Sequence, residues 1–308
     1  MAISENFWKN KPVIITGAHG FVGKHLTERL LSLGALVVPL SRSAGISIDV
    51  TDRASLTPFF EKKPGVVFHL AGESLVEKGQ EAPYDTFQTN FTGTLNVLEL
   101  SRLFHIPRVI IASTAHVYGE GTPPFSEDDP PRPSRPYETS KTITDLLAQS
   151  YADSFDLGVV IGRFANIYGP GDTNVTRLIP KTLRYALQKK PVPMWGGTAK
   201  REYLYIDDAV AAYLMLGAMP AVKLERNRIF NFGAGNPIDA RGIIEAIGGL
   251  MGEKITIVPA DYERKNEITD QYVSWEKASR ILGWKPGIDL REGLTRTIEW
   301  HKNNTIVS

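Results

Sequence analysis

The chain carries, near its start, a short apolar strand that runs straight into a glycine-spaced turn. Val13-Ile14-Ile15 leads to Thr16-Gly17-Ala18-His19-Gly20-Phe21-Val22-Gly23, and a helical pattern follows. Strand, tight turn and helix in that order form a cradle for a pyrophosphate. Glycines let the backbone turn sharply and approach the phosphates, while the helix N-terminus offers unpaired N–H groups and partial positive charge. The spacing of Gly17, Gly20 and Gly23 is three and three, where the dinucleotide fingerprint has two and then three. Such a turn also arises for packing reasons, so the loop alone points to dinucleotide binding without proving it.

The surrounding pattern sets the fold class. Strands are expected at Val13–Ile15, Ala35–Leu40, Ile46–Val50, Val66–Leu70, Arg108–Ser113 and Val159–Phe164, alternating with helices near 23–33, 53–61, 86–104 and 137–155. That alternation predicts an α/β protein with a Rossmann-type, doubly wound parallel sheet and right-handed crossovers. Runs such as Val109-Ile110-Ile111-Ala112 suit strands covered on both faces. Pro123, Pro124, Pro130, Pro131, Pro133 and Pro136 make the segment from Gly119 to Pro136 a surface loop. Beyond Tyr168-Gly169-Pro170-Gly171 the pattern loosens. Helices are expected near 177–189, 208–217 and 240–251, strands at Ile229–Phe232 and Ile255–Val258, and a last helix from Leu290. The simplest partition is a dinucleotide domain of residues 1–165 plus about 203–232. A smaller discontinuous C-terminal substrate domain would take 166–202 and 233–308.

Composition excludes several alternatives. A net charge of +1 over 308 residues gives no electrostatic case for nucleic acid or an anionic membrane as partner. Cysteine is absent, which removes disulfides, thiolate nucleophiles and Cys-ligated metals. With no apolar core in Met1–Asn10, the expectation is a cytoplasmic protein. The longest apolar stretch, Ala209–Met219, is about half the length of a membrane span. Histidines 19, 25, 69, 105, 116 and 301 show no i, i+4 pairing and no carboxylate clusters, so no metal site is expected.

The chemistry is carried by Tyr137-Glu138-Thr139-Ser140-Lys141, at the start of a helix, which puts Tyr137 and Lys141 on one face. A phenol near pKa 10 is a poor base at neutral pH. Bringing it down to about 7 takes roughly 4 kcal/mol of differential stabilisation, within reach of two close positive charges in a dry pocket. The product is a proton acceptor suited to oxidising an alcohol. Alone, the pair reads first as a surface tyrosine with a neighbouring lysine. The strand end Ser113-Thr114-Ala115-His116-Val117-Tyr118-Gly119 changes that balance, because side chains at the carboxyl edge of a parallel sheet project into the ligand crevice.

Together the glycine turn, His69-Leu70-Ala71-Gly72, the Ser113-Thr114 pair and the Tyr137/Lys141 pair resemble the extended short-chain dehydrogenase/reductases, in particular the nucleotide-sugar epimerase/dehydratase family. The likeness covers nearly the whole chain. It implies Tyr137 as base, Lys141 as the group that lowers its pKa and holds the nicotinamide ribose, Thr114 as hydroxyl partner, and Asn90 as a structural asparagine. It further implies Gly17, Gly20, Phe21, Val22, Gly23, Asp49, Val50, Leu70 and Ala71 as dinucleotide contacts. Asn166 and Arg201 would meet the substrate diphosphate, though Glu202 replaces the family's aspartate. Arg264 and Glu267 match a second phosphate arginine and a ribose-binding acid, and Glu73-Ser74 a sugar-contacting pair with Ser74 on the substrate. The substrate class is a nucleotide-diphosphate sugar, and helices near 86–104 and 137–155 would form a homodimer interface.

The end of the second strand reads Leu40-Ser41-Arg42-Ser43, with no acid for a ribose 2′-hydroxyl. Arg42 suits a 2′-phosphate and Ser41 and Ser43 can donate to it, which favours NADP over NAD. The shared first step is oxidation at carbon 4 of the sugar. Family dehydratases carry an acid and a base after the threonine, where this chain has Ala115-His116. The missing acid favours net 4-epimerisation. The alternatives are an NADPH-dependent 4-keto-sugar reductase, a dehydratase with His116 as base, and a silent nucleotide-binding protein.

Overall fold

The computed structural model describes residues 5–42, 46–194, 196–224, 227–260 and 268–304. In chain order the strands are β1 (Pro12–Thr16), β2 (Leu36–Ser41), β3 (Ile46–Ser47), β4 (Val66–His69), β5 (Val109–Thr114) and β6 (Val159–Phe164). After them come β7 (Asn166–Tyr168), β8 (Val192–Met194), β9 (Lys200–Arg201), β10 (Tyr203–Tyr205), β11 (Ile229–Phe232), β12 (Ile238–Asp239), β13 (Ile257–Pro259) and β14 (Asp270–Gln271). The helices of the first half are α1 (Phe21–Ser32), α2 (Arg53–Phe60), α3 (Val76–Glu81), α4 (Pro83–Phe87), α5 (Gly93–Leu103) and α6 (Pro136–Phe155). Those of the second half are α7 (Leu178–Leu187), α8 (Ile206–Ala218), α9 (Ala221–Leu224), α10 (Ala240–Met251), α11 (Glu276–Leu282) and α12 (Leu290–Asn304).

Seven strands form one parallel sheet in the order β11-β6-β5-β4-β1-β2-β3. The winding reverses between β1 and β4, which opens a crevice beyond their carboxyl ends. Successive residues of β1 face opposite layers, as a pleated strand requires. Val13 and Ile15 pack with Leu26 and Leu30 of α1 and Leu216 of α8, whereas Ile14 packs with Leu56, Phe60, Val97 and Ala148 from α2, α5 and α6. Burial on both faces is the reason the strands read as unbroken apolar runs. The short β7–β10, β12–β9–β14 and β13–β8 pairings form separate small sheets outside it.

Several elements differ from the sequence expectation. The strand expected over Ile46–Val50 stops at Ser47, because Asp49 turns back to accept hydrogen bonds from Thr51 N (2.9 Å) and Thr51 Oγ1 (2.8 Å). The helix expected over 86–104 is broken by a π turn at Gln88–Thr92. There Asn90 Oδ1 accepts from Glu73 N (2.7 Å) and its Nδ2 donates to Ser140 Oγ (2.8 Å), which pulls the chain out of α-helical register. α1 begins at Phe21, so Gly23 lies inside it, and β13 lies two residues beyond the expected start. Between Gly119 and Arg135 the proline-rich segment is irregular apart from one bridge, Phe125 to Val273. Among the described residues no helix is long and apolar enough to cross a membrane, and no group of three or more His, Asp or Glu could hold a metal.

Candidate active site

At the dinucleotide edge the backbone itself is the surface. Gly17 has φ +73°, and a Cβ there would stand 2.7 Å from Ala71 N. A Cβ on Gly23 would stand 2.1 Å from the carbonyl oxygen of Gly17. The turn, α1 and the end of β4 therefore touch through bare backbone. Gly20 N donates to Gly17 O at 3.0 Å, and Gly20, as N-cap of α1, has no side chain to offer the first N–H groups. Those groups are open to an anion, and the arrangement fits a pyrophosphate-bearing dinucleotide. Leu70 N and Ala71 N donate to Thr16 O (3.1 Å) and Thr16 Oγ1 (3.3 Å), which fixes the facing lip. Phe21 packs edge-on to His25, whose Nε2 meets Pro170 O at 2.8 Å. Val22 reaches the substrate cleft. At the end of β2, Ser41 is buried and Arg42 exposed. Asp49 is held below the ordinary carboxylate range, first by Thr51 N–H and also by the nearby Arg42. Val50 packs on Gly93. Ser43 lies outside the described residues.

A cleft of about 350 Å³ continues from this edge, bordered by Ser74, Thr114, His116, Tyr137, Asn166 and Arg201. α6 delivers Tyr137. Pro136 takes the first helical position, and Glu138 reaches back to accept from Arg135 N at 3.2 Å, so the first turn is capped by its own residues. α3 passes so closely that a Cβ on Gly79 would lie 2.9 Å from Tyr137 Cβ. Thr114 ends β5, and its Oγ1 accepts from His116 N at 3.2 Å, which starts the short 3-10 turn Ala115–Tyr118.

Burial dominates the electrostatics here. Burial pushes the Tyr137 phenol up to about 12, against the opposing pull of a hydrogen bond with Thr114 and the positive charge of Arg177. The Lys141 ammonium donates to the carbonyl of Ala112, and burial pushes Lys141 itself down to about 8. Without a dinucleotide, desolvation wins over the i, i+4 charge.

Under the cleft runs a buried polar layer. Ser113 Oγ donates to Asp145 Oδ2 (2.9 Å), and Arg163 holds both Asp145 oxygens (2.8 and 3.0 Å). Arg163 also donates to Tyr118 Oη (2.9 Å), which donates to Asn231 Oδ1 (2.7 Å). His69 sits between Thr16 and Thr94, and burial pushes it down to about 3, so it is a neutral packing residue.

On the substrate side Asn166 borders the cleft from β7. Arg201 also borders it, with Nη2 donating to Ile268 O at 2.7 Å and Nη1 to Thr269 O at 3.1 Å. Glu202 turns away, fully buried, accepting from Ala234 N, Gly235 N and Val273 N, so it staples loops and does not meet substrate. Ser74 reaches the cleft, while Glu73 accepts from Ser74 N (3.0 Å) and pairs with Lys78. Arg177 has no place in any sequence motif, yet it spans the cleft from Asp172 (3.1 Å) to Ser74 Oγ (3.2 Å). Arg264 and Glu267 lie outside the described residues.

A sequence model of the NAD dependent epimerase/dehydratase family matches residues 13–233. The chain belongs to this family. It is 31% identical over 323 residues to a UDP-glucuronate 4-epimerase of Thermodesulfobacterium geofontis, covering 94% of this chain and 96% of the relative. Its structure superposes on an epimerase of Methanothermobacter thermautotrophicus with a TM-score of 0.90 at 27% identity, covering 98% and 95% of the two chains. The UDP-glucose 4-epimerase of Thermus thermophilus, solved with NAD, superposes at 0.85 and 27% identity, covering 96% and 99%. As a member of this NAD-dependent family the chain is an enzyme.

Proposed function

We propose that this chain is a 4-epimerase of a UDP-sugar. It would oxidise the hydroxyl on carbon 4 and reduce the resulting ketone from the opposite face. The observation that carries the reading is Thr114 and Tyr137 bordering one cleft, with Lys141 on the same helix behind them and Ala115 as the next residue. The names of relatives such as the UDP-glucuronate 4-epimerase support the UDP-sugar.

Tyr137 Oη accepts the carbon-4 hydroxyl proton, and Thr114 Oγ1 holds the same oxygen in line. Lys141 supplies positive charge behind the phenol, and its buried ammonium is still protonated at neutral pH. An oxidised nicotinamide held at the glycine turn would supply the hydride acceptor and a positive charge that favours ionisation of the Tyr137 phenol, which burial holds up at about 12. Asn166, Arg201 and Arg177 would grip the diphosphate, since guanidinium matches phosphate oxygens. Residues 1–165 with 203–232 would bind the dinucleotide and the remainder the nucleotide sugar. Exposed Tyr84, Leu103, Leu146 and Phe155 on α4, α5 and α6 support a homodimer across those helices.

A second reading, an NADPH-dependent 4-keto-sugar reductase, is favoured by Arg42 at an acid-free strand end. The deciding experiment incubates the protein with UDP-glucose, UDP-galactose, UDP-glucuronate and UDP-galacturonate, alongside CDP-, GDP- and dTDP-glucose, and separately with a UDP-4-keto-6-deoxy sugar plus NADPH, and reads products by proton NMR. Interconversion of carbon-4 epimers with no net change in cofactor supports the epimerase. Stoichiometric consumption of NADPH overturns it in favour of the reductase, and a product lighter by one water overturns both.

A further inference from the structure

One segment joins the two edges of the crevice. α1 starts without a cap of its own: Gly20 offers no side chain, and no acidic residue stands in the first turn. The N–H groups there are open to an anion, so a bound pyrophosphate would complete that turn. His25 follows it directly. Its ring lies edge-on to Phe21, the first residue of α1, with centroids 5.6 Å apart and planes at 85°. Its Nε2 donates to Pro170 O at 2.8 Å, across 145 positions of sequence. Pro170 belongs to a strap, residues 169–177, that leads from β7 to α7. The strap is fixed at its start, where a Cβ on Gly169 would stand 2.5 Å from Ile206 Cγ2. In the middle His301 of α12 hydrogen-bonds the backbone of Asp172. The buried Asp172 carboxylate accepts from Asn174 N (3.3 Å) and Arg177 Nη1 (3.1 Å). At the far end Arg177 Nη2 reaches over the cleft to Ser74 Oγ at 3.2 Å, and its charge acts on the Tyr137 phenol. The carbon-4 chemistry has no use for an imidazole bonded to Pro170.

We propose that His25 is a positioning residue that couples the two ligand sites, so that dinucleotide at the glycine turn raises the affinity of the cleft for a nucleotide sugar. This rests on the reading above, in which Arg177 meets the diphosphate. Ordering the first turn of α1 costs conformational entropy. A dinucleotide that has ordered the turn fixes the ring of Phe21 and, one turn on, the imidazole of His25. The Nε2–H then holds Pro170 O, and the strap presents Arg177 already aimed across the cleft. A nucleotide sugar arriving second has fewer groups left to order. Linkage requires the same gain when the ligands bind in the opposite order. His25 itself meets no reacting atom and moves no proton.

The test is calorimetry on dinucleotide-free protein, with UDP as the probe of the cleft and NAD and NADP as probes of the turn. In the wild type, saturating dinucleotide should tighten UDP binding at least about fivefold, and saturating UDP should tighten dinucleotide binding by the same factor. His25→Leu should bring both factors below about twofold, while each ligand alone binds within about threefold of wild type. His25→Gln, whose side-chain amide can donate to the same carbonyl, should restore the coupling, a rescue that lost packing would not explain. Hydrogen exchange supplies a second readout. Dinucleotide alone should protect the amides of Asp172 and Arg177, which donate to Gly169 O and Asn174 O, in the wild type and not in His25→Leu. Independent binding in the wild type, or undiminished coupling in His25→Leu, overturns the proposal and leaves the epimerase standing. Loss of each single affinity as large as the loss of coupling makes the histidine purely structural and overturns it too. Failure of the wild type to bind UDP at all removes the UDP-sugar reading, and the proposal with it.

Discussion

The two edges of the crevice are built by opposite means. At the dinucleotide edge Gly17, Gly23 and Ala71 meet through bare backbone, and the geometry is enforced by side chains that are missing. At the sugar edge side chains form the surface and rest on buried polar groups: the first turn that carries Tyr137 is capped by Glu138, Ser113 donates to Asp145, and His116 faces Glu138 at 3.7 Å. The first edge should be intolerant of volume and indifferent to charge. The second should tolerate isosteric change and fail when a proton or a charge is removed.

Tyr137→Phe removes one oxygen and no packing, so it tests the second half of that contrast most sharply. Turnover is expected to fall by about 10³- to 10⁴-fold, the upper range for loss of a general base, with melting temperature and dinucleotide affinity nearly unchanged. Equal losses of affinity and turnover would mean that the oxygen holds the fold or the ligand and not the proton.

Gly23→Ala adds one methyl group at the other edge. Its Cβ would lie 2.1 Å from Gly17 O, so the turn must open. Dinucleotide affinity measured by calorimetry should fall at least about 100-fold, near 3 kcal/mol. The same exchange at Gly249, where a Cβ in α10 meets nothing within 4 Å, should leave binding intact and raise stability by about 0.5–1 kcal/mol. Similar outcomes at the two glycines would erase the distinction.

What could be read from the chain alone follows the same division. The glycine turn, the strand alternation, Thr114 and the Tyr137/Lys141 spacing are local signals, and each element appears where its residues place it. Contacts closed across the chain gave no local mark. Arg177 meets Ser74 from 103 positions away, and Asn90 breaks its helix only because Glu73 and Ser140 come to it in space. β-branched content over Ile46–Val50 likewise says nothing of the turn that Asp49 makes. The setting of the Tyr137/Lys141 pair is hidden for a related reason. Spacing puts Lys141 on the face of Tyr137, but only the folded chain shows its ammonium engaged by Ala112 O.

That engagement makes Lys141→Met informative for both stability and rate. The lysine's folded pKa of about 8 lies below its ordinary 10.5, so between those values the unfolded chain holds a proton that the folded chain has released. Stability therefore rises with pH across that window, and below pH 8 the full cost of burying the ammonium is present. The methionine variant should lose this rise and, at pH 7, gain about 1–3 kcal/mol in denaturant unfolding, less the lost bond to Ala112 O. Its turnover should drop steeply. In the wild type kcat/KM should decline on the alkaline side near pH 8, where the supporting charge disappears. A pH-independent stability difference between the two proteins would place the lysine in a wetter setting than the cleft implies.

The smallest expected effect concerns Arg42, which lies at the rim of the backbone-built edge yet would act through its charge. Exposed at the end of β2 and near enough to depress Asp49, it can pair with a 2′-phosphate but adds little for a 2′-hydroxyl. Arg42→Ala is expected to weaken NADP binding by about tenfold, or ~1.4 kcal/mol, and NAD binding by less than about twofold. Its exposure limits the effect, because water screens an exposed guanidinium from its partner. Equal losses for both dinucleotides would mean that the arginine reads adenine and not the ribose. The NADPH-dependent reductase would then lose the support that Arg42 gives it.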